Sequence, residues 1–218
     1  MITRMVLKFD YTIQLLLVTT TDVGRLEVAI LTVAFLFLSG LAHFAVVCFH
    51  QSYVRGLEKG INRFRWYEYS LSSSLIICAI AILFGCRDLG SLLLMFWLNA
   101  SMNLFGLLME EMNPLQTKVV TWKPFWFGCF AGIGPWGVIG LYLFNTQLDR
   151  VPVFVFGIFG AYIIFFLAFP INMVLQYKQV GPWKRYIYGE YGYIALSLVT
   201  KTVLAWLVFG GTFQPNPE

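Results

Sequence analysis

Long apolar stretches broken by short polar loops dominate the chain, and their lengths set the first expectation. Runs of about 20 apolar residues suffice to cross a bilayer as helices. Six such runs read off the sequence, roughly Gly24–His50, Phe64–Phe84, Ser91–Met109, Pro124–Asn145, Pro152–Tyr177 and Tyr188–Phe209. Lipid offers backbone groups no hydrogen bonds, and no alternating barrel pattern is present, so helices are expected. Residues 1–23 differ: Arg4 and Lys8 precede a short apolar piece, three threonines and Asp22. That piece is too short to span and no small-residue cleavage site follows it, so it reads as an extended surface segment. The expected organisation is an extracellular segment at 1–23, a helical bundle at 24–213 and an extracellular tail at 214–218.

Composition agrees. Of 218 residues, 59% are hydrophobic and 12% charged, with mean hydropathy +0.73, whereas soluble domains carry about 25% charged residues. The net charge of +4 therefore concerns membrane topology, not nucleic acid. Arg55, Lys59, Arg63, Arg65, Lys118, Lys123, Lys178, Lys184 and Arg185 fall on one side of the expected bundle, against Arg4, Lys8, Arg25, Arg87 and Arg150 on the other. By the positive-inside rule the richer side is cytoplasmic, which puts the C-terminus outside. Cys48, Cys78, Cys86 and Cys129 lack metal-ligand spacing and read as small packing residues, with neither a metal site nor a disulfide framework.

The residue that composition does not explain is Lys201, in the middle of YIALSLVTKTVLAWLVFGG. An ammonium at that depth costs at least about 2.5–3.5 kcal/mol. It is either a paired or snorkelling ion, or a nitrogen used covalently as a Schiff base to a carbonyl compound, since desolvation frees its lone pair. Ser197 lies one turn before it. Glu68 opens the second run in RFRWYEYSLSSS, with Ser72 one turn on. It is either a counterion to such a nitrogen or an interfacial carboxylate paired with Arg65 or the helix N-terminus. Counting residues leaves Glu68 and Lys201 roughly 13 Å apart in depth, of which a lysine pointing back along its helix recovers about half. His43 is a proton-handling candidate or a neutral hydrogen-bonded histidine. Asn99 and Asn103 read as interhelical hydrogen bonders, and Glu110 and Glu111 as solvated carboxylates at a helix end. Gly128 and Gly132 with Pro135 predict close packing and a kink. Trp126, Trp136 and Phe166 read as packing or as walls for a flat ligand.

Taken together, FRWYEYSLSSS, SGLAHF, NASM with LFG and Glu110, PFWFGC, LQYK, YGE and SLVTK with LAW resemble the heliorhodopsins, over about Asp22 to Thr212. The resemblance implies an all-α membrane protein with a rhodopsin-like bundle: seven helices in the family, six spans in this chain, the first helix having no counterpart. It implies all-trans retinal held as a protonated Schiff base on Lys201, with Glu68 as counterion, Ser197 beside the Schiff base, His43 as the cytoplasmic-side histidine and Trp206 as a pocket tryptophan. Ser72, Met102, Trp126 and Phe166 join the expected retinal site. The expected partners are retinal, the lipid bilayer and a second copy in a homodimer, with no nucleic acid. The expected function is light sensing and not enzymatic catalysis. A light-gated proton conductance on the same scaffold, and a retinal-free transporter, are the alternatives.

Overall fold

The computed structural model describes residues 1–10, 15–115, 117–144 and 153–212, so the expected tail at 214–218 lies outside the described residues. The chain opens with an antiparallel hairpin, β1 (Ile2–Asp10) and β2 (Leu15–Gly24), paired from Ile2 opposite Gly24 to Asp10 opposite Leu15. Its helices are α1 (Val28–Cys48), α2 (His50–Glu58), α3 (Arg63–Leu83), α4 (Leu89–Met112), α5 (Lys123–Phe144), α6 (Val153–Tyr177) and α7 (Tyr186–Thr212), with a 3-10 turn at Gly181–Lys184 before the last.

Among the described residues, five helices are long and apolar enough to cross a membrane: α1, α3, α4, α5 and, within α6, Phe159–Tyr177. This corrects the expectation of six spans. The sixth, Tyr188–Phe209, falls within α7, which is long enough at 27 residues but carries Glu190, Lys201, four tyrosines and two glycines in its first sixteen residues. Those residues lower the hydropathy of its described part below that of the other five. The protein is thus an all-α, multi-span helical bundle with five apolar membrane-length helices and a more polar seventh helix packed on α6 and α1.

Helix α3 is the centre. It packs on α1 and α4, and most of its length is buried. Asn62 caps it, its side chain accepting from the Arg65 backbone N–H at 3.1 Å, which satisfies one of the unpaired donors of a first turn. The hydrophobic core has two parts. One gathers the Ile76–Ile82 stretch of α3 with Phe35, Ile139, Tyr162 and Leu204. The other gathers Trp66, Tyr69, Met109, Met173 and Tyr193.

Glycine decides how closely α4 can be approached. A Cβ on Gly132 would meet Met102 Sδ at 2.7 Å and Phe166 Cζ at 2.9 Å, and one on Gly106 would meet the Trp66 ring at 2.2 Å. The two ends of the bundle are distinct. At one, the Thr3 N–H donates to Arg87 O at 2.8 Å, docking the hairpin on the turn between α3 and α4. At the other, the loop after α4 meets the turn after α2, where the Leu115 N–H donates to Lys59 O at 3.2 Å.

Candidate functional site

Lys201 points back along α7 and does not stand free. Its Nζ donates to Glu68 Oε1 at 2.5 Å and to Ser39 Oγ at 2.6 Å. Ser39 in turn donates to Glu68 Oε1 at 2.7 Å, close to the Phe35 carbonyl one turn earlier on α1 at 3.0 Å. Three helices therefore meet on one carboxylate oxygen. The Lys201 side chain is 10% exposed and that of Glu68 9%. The depth gap expected between the two residues is closed by the lysine stem: Nζ lies 5.6 Å from the centre of the Tyr69 ring, next in sequence to Glu68. Tyr69 is itself fixed, its hydroxyl donating to Tyr193 O at 2.9 Å. Glu68 takes the lysine, and Arg65 does not pair with it.

Lys201 stands on the wall of an apolar cavity of about 350 Å³ lined by α3, α4, α5, α6 and α7, within the size range of small-ligand sites. Ser72, Met102, Phe166, Ser197 and Lys201 all line it. Ser72 is fully buried, and its hydroxyl has no partner among the described residues. One side of the wall is stiffened by amides: Asn99 Nδ2 donates to Ser73 Oγ at 2.7 Å and Ser74 Oγ at 3.2 Å, and Asn103 Nδ2 to Ser73 Oγ at 2.9 Å. This is the interhelical role expected of the two asparagines.

The structure places the remaining sequence candidates elsewhere. Glu68 lies behind Lys201, toward α1, and is not on the cavity wall. Trp126 and Trp206 are 65% and 67% exposed. Trp206 is five residues from Lys201, about 140° around the helix at 3.6 residues per turn, so its ring faces outward beside Phe209. Trp126 sits off the stripe of Phe125, Gly128, Cys129 and Trp136 that faces the cavity. His43 is exposed, one turn along α1 from Ser39.

A second charged cluster lies nearer the α2 end. Arg65 is buried and bonded through Nη1 to Glu190 and through Nη2 to Glu110. Its guanidinium lies 4.0 Å from the Tyr193 ring centre and 4.8 Å from that of Trp66. Asn62 completes the cluster, its backbone N–H donating to Glu110 Oε2 at 2.8 Å and its Nδ2 to Glu190 Oε2 at 2.7 Å. This corrects two expectations. Glu110 is 1% exposed and not solvated, and Arg65 belongs to the protein interior, which removes it from the loop charges. Only Glu111 stays at the surface, with Arg63 at 3.0 Å. Helical spacing carried the missed signal: Asn103, Gly106, Leu107 and Glu110 share one face of α4, and all four are buried.

The fold and site define a multi-pass integral membrane protein with a buried lysine–carboxylate pair at the edge of an apolar cavity. The heliorhodopsin family model matches residues 1–213, and the chain belongs to that family. The match begins at residue 1 and so takes in the hairpin. Heliorhodopsins are photoreceptors and not catalytic enzymes. No curated protein matches the chain.

Proposed function

We propose that this protein senses light through all-trans retinal bound to Lys201. The observation that carries the reading is the Lys201 amine, on the wall of an apolar cavity and 2.5 Å from a carboxylate with no other charged partner among the described residues. When bound as a Schiff base, retinal supplies absorption of visible light and a light-driven change of shape. The chain does the rest. Glu68 faces the nitrogen with a full negative charge and holds a proton there, and Ser39 fixes the carboxylate from α1. Ser197 and Ser72 put hydroxyls near the same end, while Met102 and Phe166, separated by Gly132, close the cavity between α4 and α6.

The same reading assigns the α2 end to the cytoplasm. Arg55, Lys59, Arg63, Lys118, Lys123, Lys178, Lys184 and Arg185 remain there without Arg65, which still exceeds Arg4, Lys8, Arg25 and Arg87 on the hairpin side among the described residues. The C-terminus is then outside. Light sensing is favoured over proton transport because α3 beyond Ser74 is a packed apolar stretch, Ile76 to Ile82, with no titratable carboxyl or histidine. Among the described residues, the buried carboxylates besides Glu68 are Glu110 and Glu190, toward the α2 end, and His43 lies one turn along α1 in the same direction. A homodimer and a downstream partner belong to the same proposal.

The test is the absorption spectrum of protein expressed with and without retinal. A visible band that appears only with retinal supports the reading, and its absence favours the retinal-free transporter. Sustained directional photocurrent would replace sensing with transport.

A further inference from the structure

Two polar atoms of the cavity wall take no part in the site around Lys201. They are the indole Nε1 of Trp136 and the hydroxyl of Tyr162, each buried and without a hydrogen-bond partner among the described residues. Tyr162 is 2% exposed. It lies between Phe159 and Phe166 on one face of α6, by spacings of three and four residues. Both flanking phenyl rings pack edge-on against Trp136, with centroids 5.9 and 5.5 Å away. The indole and the phenol therefore serve the same stretch of cavity. A buried N–H or O–H left unpaired is costly, and the wall beside them is Ile77, Ile80 and Ile133, which offer an oxygen nothing.

The position of the pair relative to Lys201 gives it meaning. Trp136 is on α5, which packs against α4, whereas Lys201 is on α7, which packs against α6 and α1. The two residues thus line one cavity from helices that are not close neighbours, and an elongated aldehyde held at Lys201 that crosses the cavity reaches the indole with its far end.

We propose that Trp136 and Tyr162 form a recognition site for oxygen at the far end of the ligand. The aldehyde this chain favours is then a retinal bearing a hydroxyl or keto group on its ring. The proposal rests on the reading of Lys201 as the attachment point. A ring hydroxyl accepts from the indole N–H and donates to the phenol oxygen; a ring ketone accepts from both. A hydrocarbon ring leaves both atoms unpaired.

The full chain is expressed without retinal and regenerated with all-trans retinal and with its ring-hydroxylated and ring-oxo analogues, singly and in competition, following the visible band and the identity of the extracted aldehyde. Wild type takes the oxygenated aldehyde over plain retinal by about three- to tenfold, the worth of one net hydrogen bond. Trp136→Phe and Tyr162→Phe each reduce the preference, and the double variant loses it while still forming pigment with plain retinal. Equal uptake by wild type, a preference for plain retinal, or a preference that survives the double variant overturns the assignment. Pigment without preference sinks this inference alone. No pigment with any of the aldehydes overturns the Lys201 reading and this inference with it.

Discussion

The protein buries two charged clusters on α3, less than one helical turn apart in sequence, and builds them differently. Around Arg65, one guanidinium meets two carboxylates and two aromatic faces, and the capping Asn62 donates to both carboxylates. Arginine's planar fork suits that setting, and its charge is permanent. Around Lys201, one ammonium meets one carboxylate and one hydroxyl, with a cavity open on the other side. Lysine is the cation whose nitrogen can be freed for chemistry. The first cluster ties α3, α4 and α7 together; the second holds a reactive group where a ligand can reach it.

The comparison predicts unequal damage. Arg65→Ala leaves Glu110 and Glu190 buried without their cation, which costs about 3–5 kcal/mol; thermal unfolding in detergent, with or without retinal, should show the loss. Lys201→Ala leaves one buried carboxylate, Glu68, without its cation but still bonded to Ser39, where Arg65→Ala strands two, so its loss of stability should be the smaller. Equal destabilisation by the two variants would break the distinction.

Gly106→Ala is the next largest effect. The added methyl meets the Trp66 ring, itself stacked on Arg65, and overpacking of this kind costs about 1–3 kcal/mol. The visible band should move little, because the disturbance begins at the guanidinium cluster. A band shift as large as that of a Lys201-side variant would mean that the clusters are coupled.

Asp88→Ala probes the hairpin end, remote from both clusters, at about 1 kcal/mol. The Asp88 carboxyl caps α4 by accepting from the Ser91 N–H at 2.7 Å and the Ser91 hydroxyl at 2.8 Å. These bonds hold it below its ordinary value of 3.8. Its stabilisation is therefore fully present above about pH 4 and fades as pH falls through the lower folded value. Unfolding midpoints of wild type and variant should converge in acid and differ at neutral pH.

The sharpest effect on colour is that of Glu68→Gln. The carboxamide still accepts from Ser39, while the loss of negative charge opposite the nitrogen should red-shift the visible band. An unchanged band would return Glu68 to a structural role.

The two clusters were not equally legible in the sequence. Lys201 stood out because it interrupts an apolar run, and Glu68 because it is the only carboxylate near the start of α3. Arg65 was hidden among the loop cations Arg55, Lys59 and Arg63, and Glu110 beside the exposed Glu111, since charge at a helix end looks the same whether it faces water or a neighbouring helix. Pairing across elements 45 and 125 residues apart leaves no local pattern. Apolar run length found α1, α3, α4, α5 and α6 but over-counted α7, whose Glu190, Tyr193 and Lys201 face the interior that the clusters occupy. Side-chain direction was the hardest to read: Trp126 and Trp206 point outward, while Trp136 and Tyr162 line the cavity.

The most direct measurement is chemical. Pigment formed with all-trans retinal is reduced with borohydride, digested, and the retinyl-bearing peptide sequenced by mass spectrometry. The account predicts the modification on Lys201 alone, and none in the Lys201→Ala protein. A retinyl group on any other lysine, or none on a protein that shows the visible band, would contradict it.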